Sequence, residues 1–498
     1  MPRVIVFLCL LICLNQPLLT QIVFKVDTSQ SFQTIRGFGA ADAWANEYMK
    51  LWTDSVRNLA ADWLFSREIN HDGSFKGIGL SIWRFNIGAG SDEQGDSSGI
   101  GDSYRRTEAI INPDGTFSEN KQTGTSRFLV EAKERGLENA VMFSNSPPVY
   151  LTKNNRAYSG ICNETNLAPG KFDSFADYLS KSLLFFEEKG IHFDYVSPVN
   201  EPEWDWCRHN GQEGCPWYNA DIAGLTRSLD LKLSEYNLST KIQIPESGLL
   251  LYANSGNRFK PGRQDEIDNY FNKKNKNYVG NLPHLAPMLT AHSYFTEWPI
   301  GAMRKVRKKL ARKINKYGIE YWMSEYCVLK QNREITGNGR DLGMHTALYV
   351  SRVIHNDLVY GNASSWSWWL GVSTADYKDG LVYADREGKG VVDSKLMWAV
   401  GNFSQFIRPG FKRIKVEGKQ NKQFLVSAYS SGDKREMVLV VINMKSNMEK
   451  VCFKNLPKSS IKAWETSQKS NLEFVGDYKS SGEIMIAPQS ITTLVVQL

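Results

Sequence analysis

Eight short apolar segments, separated by stretches with helical character, constrain the fold of this chain more than any other feature of its sequence. Between them, apolar residues recur at helical spacing, as at Phe172, Phe175, Leu179 and Phe186. Short strands that alternate with helices are typical of a parallel sheet, and eight such units predict a closed (β/α)8 TIM barrel of the α/β class. The eight segments are residues 35–42, 79–88, 139–148, 193–201, 241–247, 289–294, 319–326 and 364–369.

Several ends of these predicted strands carry side chains suited to chemistry. Glu201 ends the fourth strand and Glu325 ends the seventh, while Arg84, Tyr294 and Trp368 lie near the ends of three others. Active sites of (β/α)8 barrels lie at the C-terminal ends of the strands. We therefore expect these five side chains to meet at one end of the barrel.

The two strand-end glutamates fit the chemistry of retaining glycoside hydrolysis, which needs two carboxyl groups roughly 5–5.5 Å apart. One carboxyl group protonates the leaving oxygen, the other attacks the anomeric carbon, and different surroundings must separate their pKa values. We assign Glu201 as the acid/base, because Asn200 and aromatic residues surround it. Glu325 is assigned as the nucleophile, because the strand of Arg84 can supply a countercharge. Asn200 is placed to hydrogen-bond the sugar 2-hydroxyl.

Each of these residues also has a structural alternative. An Asn-Glu-Pro sequence occurs at strand-end turns, Glu325 could form a salt bridge inside the barrel, and Arg84 could be its partner. The combination of residues favours catalysis. A non-catalytic carbohydrate-binding protein on the same fold would be expected to lack one glutamate, and both are present.

Aromatic residues are abundant, with 14 tryptophans and 21 tyrosines. They could form a large aromatic core or platforms that stack on sugar faces. Position favours platforms for some of them, because two tryptophans follow Glu201 at once and a third follows the first strand. The predicted substrate-binding residues are Asp42, Trp44, Arg84, Asn200, Trp204, Trp206, Tyr294 and Trp368.

The charge distribution does not indicate a nucleic-acid partner. The formal net charge is only +7, and the most basic stretch, residues 304–316, repeats Val306, Leu310 and Ile314 every fourth position. This pattern predicts an amphipathic helix with a solvated basic face. A preference for acidic polysaccharides stays open.

The first twenty residues have the form of an export signal, with Arg3 before an apolar run at 4–14. The alternative is a buried N-terminal strand. Since no apolar run approaches the roughly 20 residues of a membrane-spanning helix, we predict no integral membrane segment after signal removal. We expect a secreted or periplasmic monomer, free or associated with the cell surface.

Removal of residues 1–20 leaves five cysteines, so at least one is unpaired within the chain. Cys207 and Cys215 lie close together in the loop after Glu201, and in an oxidising compartment we predict a disulfide between them. No cysteine spacing resembles a zinc site, and no metal is predicted.

After about residue 405 the pattern changes to short alternating runs with turn residues between them, which predicts an all-β sandwich. The alternating residues Ile22, Phe24 and Val26 predict an N-terminal strand that joins it. The expected domains are a signal at 1–20, a catalytic barrel at 35–400, and a β-sandwich built from 21–34 and 401–498.

The chain resembles glycoside hydrolase family 30 in five short motifs. The matching motifs are Arg-Gly-Phe-Gly at 36–39, Trp-Arg-Phe at 83–85, Ser-Asn-Ser-Pro-Pro at 144–148, Ser-Pro-Val-Asn-Glu-Pro at 197–202 and Ser-Glu-Tyr at 324–326. The resemblance implies Glu201 as acid/base, Glu325 as nucleophile, net retention, a β-sandwich built from both chain ends, and no cofactor. The substrate it implies is a polysaccharide or oligosaccharide.

Residues 212–217 look like the endo-β-1,6-galactanase branch of that family, which degrades arabinogalactan side chains. The alternatives are a β-1,6-glucanase or a glucosylceramidase-like β-glycosidase. Glucose and galactose differ at one hydroxyl, which the sequence does not resolve.

Overall fold

The computed structural model describes residues 21–255 and 260–497; the predicted export signal lies outside these ranges. The helices are α1 (Asn46–Met49), α2 (Asp54–Phe65), α3 (Thr123–Glu134), α4 (Phe172–Glu187), α5 (Asn219–Glu235), α6 (Leu250–Asn254), α7 (Glu266–Phe271), α8 (Ile300–Tyr317), α9 (Met344–Tyr360) and α10 (Lys395–Ser404). The strands are β1 (Ile22–Thr34), β2 (Gly37–Ala41), β3 (Ile82–Ile87), β4 (Asn139–Ser144), β5 (Tyr195–Ser197), β6 (Lys241–Ser247), β7 (Leu285–His292), β8 (Glu320–Glu325), β9 (Ser365–Ser373), β10 (Gly380–Ala384), β11 (Val391–Val392), β12 (Lys412–Gly418), β13 (Phe424–Ser430), β14 (Glu436–Asn443), β15 (Glu449–Lys454), β16 (Ser460–Thr466), β17 (Asn471–Lys479), β18 (Ile484–Ile486) and β19 (Ser490–Gln497).

The strands β2 to β9 form the predicted (β/α)8 barrel. Each pairs in parallel with the next, and β9 closes the ring by pairing with both β8 and β2. All six residues of β3 are buried, as expected for a parallel strand covered on both faces. The strand predicted at 193–201 is β5. It is shorter than predicted, because Pro198 follows Ser197 and has no N–H to continue the hydrogen bonds of the sheet.

The basic helix is α8, and it is amphipathic as predicted. Met303, Leu310 and Ile314 are buried on the face toward the barrel. Arg307 departs from the predicted solvated basic face, because it is fully buried and its Nε lies 2.6 Å from Asp357 Oδ1.

The remaining strands, β1 and β12 to β19, form a separate nine-stranded sheet. The first strand lies between β12 and β15, so both ends of the described chain build this domain, as predicted. The Phe24 ring packs in its core, with its centroid 6.2 Å from that of Phe424 and 5.8 Å from that of Phe453.

Alternate residues of β14 pack on opposite sides of this sheet. Met437, Leu439 and Val441 belong to the core of the β-domain, whereas Val438, Val440 and Ile442 belong to the main core that includes the barrel. The helices α9 and α10 contact the sheet from the barrel side. Both faces of the sheet are therefore buried at β14, and the barrel side, through α9 and α10, buries one of them.

Within residues 21–255 and 260–497, no helix combines the length and the apolarity that crossing a membrane requires.

Candidate active site

The structure brings Glu201 and Glu325 together at the C-terminal ends of the barrel strands. Glu325 is the last residue of β8, and Glu201 follows β5 with a left-handed φ of 45°. One carboxylate oxygen of each lies within 4.8 Å of the other and of a ring nitrogen of His292. This spacing suits a retaining pair, whereas inverting pairs stand roughly 6.5–9.5 Å apart to admit a water.

Two donors hold the Glu325 carboxylate. Arg84 Nη1 donates to Glu325 Oε2 at 2.9 Å, and the Tyr294 hydroxyl donates to Oε1 at 2.9 Å. Burial raises the pKa of Tyr294 well above its usual value, so the phenol keeps its proton. These two hydrogen bonds fix the orientation of the Glu325 carboxylate at the end of β8.

The Glu201 carboxyl is in a different environment. Burial raises its pKa, and the hydrogen bond from His292 works in the opposite direction. The Nδ1 of His292 lies 3.0 Å from Glu201 Oε1 and 3.6 Å from Glu325 Oε1. His292 therefore hydrogen-bonds Glu201, whereas Arg84 and Tyr294 hydrogen-bond Glu325. Such different surroundings allow one carboxyl group to serve as an acid and the other as a nucleophile.

A third glutamate, Glu246 at the end of β6, completes this cluster and was not predicted. Its Oε2 lies 3.2 Å from His292 Nε2 and 3.5 Å from Arg84 Nη2, and the Ser324 hydroxyl donates to it. Although burial opposes ionisation, Arg84 and His292 lower the pKa of Glu246 to about 2. Glu246 follows Ile242 and Ile244 near the end of a predicted strand, as Glu201 does in its own strand, and this signal could have revealed it.

His292 carries the positive charge between these carboxylates. Burial alone would lower its pKa, but Glu325, Glu201 and Glu246 raise it to about 10. With this cation between them, the carboxyl groups and the imidazole form a network suited to acid–base chemistry. One ligand atom from each of Glu201, His292 and Glu325 lies within 4.8 Å of the other two.

A chain of amides supports the site from behind. Asn200 Nδ2 donates to Asn145 Oδ1 at 3.0 Å, and Asn145 Nδ2 donates to Asn86 Oδ1 at 3.0 Å. Asp42 accepts from the backbone N–H of Asn86 at 2.8 Å. The Asn200 Oδ1 is buried without a partner among the described residues, so it can accept from a ligand hydroxyl.

The cleft next to the glutamates has a volume of about 450 Å3. Four of the predicted substrate-binding residues line it: Trp44, Asn200, Trp206 and Tyr294. Gln212, from the segment 212–217, also lines the cleft, as does Trp369 of β9. Further lining residues were not predicted, because they come from segments outside the barrel strands that have no distinctive pattern: Arg105, Asp376, Tyr377 and Asp379.

Four predicted binding residues do not line this cleft. Asp42 and Arg84 are buried behind it, where they hold Asn86 and Glu325. Trp204 stacks on Phe295, with ring centroids 5.9 Å apart and planes 3° from parallel. Trp368 is fully buried against Trp366, and its neighbour Trp369 faces the cleft instead.

The loop that follows Glu201 is held differently from the prediction. Cys207 is bonded to Cys162, and Cys215 is a buried free thiol, so the predicted Cys207–Cys215 disulfide is wrong. The loop before Cys162 packs on this one through the Ser159 N–H, which donates to Trp206 O at 3.1 Å. The Cys215 Sγ instead accepts from the Asn166 N–H at 3.4 Å.

Glu213 fastens the same loop to the chain that follows β3. Its carboxyl oxygens accept from the Ala89 N–H at 3.1 Å and from the Ser91 hydroxyl at 2.6 Å. Burial raises the pKa of Glu213 to about 8. Trp206, whose Nε1 donates to Glu201 O at 3.1 Å, is thereby held against the acid/base candidate.

Comparison with known proteins places this geometry in context. A family model described as O-glycosyl hydrolase family 30 matches residues 21–383. The glucuronoxylanase XynC of Bacillus subtilis (strain 168) is 26% identical over 378 aligned positions, and the match covers 73% of this chain and 76% of that protein.

Two solved structures share the whole architecture. A conserved exported protein from Bacteroides fragilis superposes with a TM-score of 0.90 at 32% identity, over 95% of this chain and 100% of its own. An endo-β-1,6-glucanase superposes with a TM-score of 0.67 at 15% identity, over 96% of this chain and 94% of its own. The second likeness concerns the fold alone.

Proposed function

The chain belongs to glycoside hydrolase family 30, and from this premise we propose that it is a secreted hydrolase that cleaves β-linked polysaccharide with retention of anomeric configuration. The observation that carries the proposal is the approach of Glu201 and Glu325 to within 4.8 Å at the barrel rim. The similarity to an exported protein supports secretion.

In the first step Glu325 acts as the nucleophile. Its carboxylate forms a bond to the anomeric carbon while the bond from that carbon to the leaving oxygen breaks. Glu201 transfers its proton to the leaving oxygen. The raised pKa of Glu201 supports this role, because the carboxyl keeps its proton at higher pH than an exposed glutamate.

In the second step Glu201 acts as a base. It takes a proton from a water molecule, the water oxygen bonds to the anomeric carbon, and the ester bond to Glu325 breaks. Two inversions at the same carbon give net retention. His292 stays protonated through both steps and compensates the negative charge as the proton leaves and returns.

The proposed substrate-binding roles follow from the cleft. The Oδ1 of Asn200, which has no hydrogen-bond partner among the described residues, accepts from a sugar hydroxyl. This contact strengthens in the transition state when the hydroxyl is at C2. Trp44, Trp206 and Trp369 offer aromatic surface to the sugar rings.

The first candidate substrate is the β-1,6-galactan of arabinogalactan side chains. Support for it comes from residues 212–217, whose sequence looks like that of endo-β-1,6-galactanases, and Gln212 of this segment lines the cleft. The loop that carries it is fastened by Glu213 and Cys207, so the segment has a fixed place beside the acid/base candidate.

The second candidate is another β-linked polymer, either β-1,6-glucan or glucuronoxylan. The name of the B. subtilis relative favours the xylan, and the family resemblance leaves the glucan open. A glucosylceramidase-like activity is the remaining alternative.

A product analysis tests both the assignment of Glu325 as the nucleophile and the choice of substrate. The enzyme and its Glu325→Gln variant are incubated with β-1,6-galactan, β-1,6-glucan and glucuronoxylan, and the released oligosaccharides are separated by chromatography. We expect β-1,6-galactan to be cleaved fastest, and the variant to lose about 10³-fold or more of kcat/KM while it unfolds at the parental temperature. Preferred cleavage of another polymer would overturn the galactan assignment. Variant activity within tenfold of the parent would overturn the nucleophile.

A further inference from the structure

We propose that a basic groove on the flank of the barrel binds the carboxylates of an acidic polysaccharide. The basic groove is defined by Phe32, Lys308, Arg312, Tyr360, Asn362 and Arg413. It has a volume of about 400 Å3 and lies between the helices α8 and α9 and the strands β12 and β13. Among the residues that the structure describes, its lining shares none with the cleft at Glu201 and Glu325.

Arg413 is a buried cation that has no anionic partner among the described residues. It is only 6% exposed, and its Nε and Nη2 donate to Gln33 Oε1 at 3.0 Å and Asn362 Oδ1 at 2.8 Å, both neutral amides. In the described part of the chain, no carboxylate forms an ion pair with it. Burial lowers the pKa of Arg413 to about 10. A buried charge is costly unless it is paired, so an anion at this position would be stabilised.

Two further cations face the groove from α8. Lys308 and Arg312 are exposed and one helical turn apart, and neither has an ion-pair partner among the described residues. Lys415 also lines the groove but pairs with Glu417 at 2.7 Å. No aspartate or glutamate is part of the groove lining in the ranges that the structure describes.

The positive field of this region also acts on a buried histidine. Burial, Arg304 and Arg413 lower the pKa of His355 to about 3. His355 is therefore neutral at physiological pH and adds no charge to this region. Because the groove and the residues behind it hold cations and neutral groups, its electrostatic complement is an anion.

A uronate fits both the charges and the apolar surface. Guanidinium groups bind carboxylates through paired hydrogen bonds, and aromatic side chains pack on sugar rings. Phe32 lines the groove and is 42% exposed. The guanidinium carbon of Arg413 lies over the Phe32 ring, 3.8 Å from its centroid. The choice of a glycan rests on the proposed polysaccharide hydrolase. The groove would hold an acidic segment of the polymer while the cleft cleaves another segment.

Binding is measured by isothermal titration of the full-length protein with polygalacturonate at low ionic strength, with fully methyl-esterified polygalacturonate as the uncharged counterpart. We expect the charged polymer alone to bind, with weaker affinity as salt is added. The double variant Lys308→Gln/Arg312→Gln should bind about tenfold more weakly, which corresponds to about 1.4 kcal/mol.

The matched control is Lys305→Gln/Lys309→Gln, which removes the same charge from exposed positions on the same helix outside the groove. This control should bind within about twofold of the parent. Equal weakening of both double variants would overturn the proposal, because the binding would then follow net charge. Equal binding of the esterified polymer, or tighter binding of single-stranded RNA, would also overturn it.

A parallel assay separates this inference from the proposed function. Both double variants should cleave a short neutral substrate at the parental rate, since neither touches the cleft. If the parent binds polygalacturonate but cleaves no polysaccharide, the hydrolase proposal fails and the groove assignment stands. If it cleaves polysaccharide but does not bind polygalacturonate, the groove assignment fails alone.

Discussion

At the scale of single residues, the site depends on how three carboxyl groups share two cations. Arg84 contacts Glu325 and Glu246, and His292 contacts Glu201 and Glu246. Glu246 is thus a buried anion that keeps both cations in place and leaves Glu201 as the carboxyl with the raised pKa. We infer that it positions the catalytic groups and does not itself touch the substrate.

The acid role of Glu201 predicts a dependence on the leaving group. The variant Glu201→Gln should lose about 10²–10⁴-fold of kcat/KM on natural polysaccharide, because the leaving oxygen is no longer protonated. Aryl glycosides with acidic leaving groups need less assistance and should lose less. Steady-state kinetics on both substrate types measures the difference, and equal losses would contradict the acid role.

The partnership of Glu201 and His292 predicts a pH shift. Activity requires protonated Glu201, so it falls as pH rises through the raised pKa of this group. His292→Asn removes a cation that lowers this pKa, and the alkaline limb of kcat/KM should therefore move to higher pH. His284→Asn, a histidine bonded to Ser234 outside the cleft, is the control and should leave the profile unchanged. A shift of the limb to lower pH would refute the assigned partnership.

At the scale of strands and loops, the sequence predicted which strands deliver the catalytic candidates but not the details of their ends. Alternate residues of a strand point to opposite sides, so a choice between Trp368 and Trp369 depends on a register that the apolar run 364–369 does not reveal. The cleft residues Arg105 and Asp379 lie outside the barrel strands, where no periodicity exists to place them.

The disulfide was mispredicted for a related reason. Closeness in sequence favoured Cys207 with Cys215, but the partner Cys162 is 45 residues away and reaches Cys207 only because two loops pack together. Such packing is a tertiary contact, which spacing alone does not encode.

The hydrogen bonds by which Glu213 fastens the loop after Glu201 predict that stability depends on pH. The folded protein binds the Glu213 proton up to about pH 8, whereas the unfolded chain releases it near the ordinary glutamate value. The stability contributed by the protonated form is complete below about pH 4.3 and is lost as pH rises through about 8.

Glu213→Gln removes this titration and keeps a neutral side chain of the same shape. The unfolding temperature of this variant relative to the parent should therefore rise between pH 5 and pH 9, as measured by differential scanning fluorimetry. Glu119→Gln, which changes an exposed carboxylate, should show a constant difference. If the unfolding temperature of Glu213→Gln relative to the parent were constant or fell with pH, the result would contradict a protonated Glu213 in the folded protein.

At the scale of the whole molecule, the barrel and the β-domain share a core. Ile442, Leu472 and Ile491 belong to strands of the nine-stranded sheet, yet they pack in the same cluster as barrel residues. The sequence predicted two domains from a change of pattern near residue 405, and it could not reveal this contact, because a fully buried strand such as β14 has no polar face to mark it.

This shared core predicts that the two domains unfold together. Ile442→Ala should lower the free energy of unfolding by about 2–5 kcal/mol. The loss of catalytic activity on heating should shift with it, although the residue is outside the barrel. Val475→Ala, at an exposed position of β17, should change stability by less than about 0.5 kcal/mol. Activity that survives to the parental temperature in Ile442→Ala would show that the barrel is independently stable.

The pairing of Glu201 with Glu325 is tested most directly by the configuration of the first product. Proton NMR spectra are recorded during hydrolysis of whichever β-linked polymer the enzyme cleaves fastest, before mutarotation mixes the anomers. Two carboxyl groups within 4.8 Å predict that the β-anomer accumulates first and the α-anomer follows slowly. Initial release of the α-anomer would mean a single inversion at the anomeric carbon and would contradict the account.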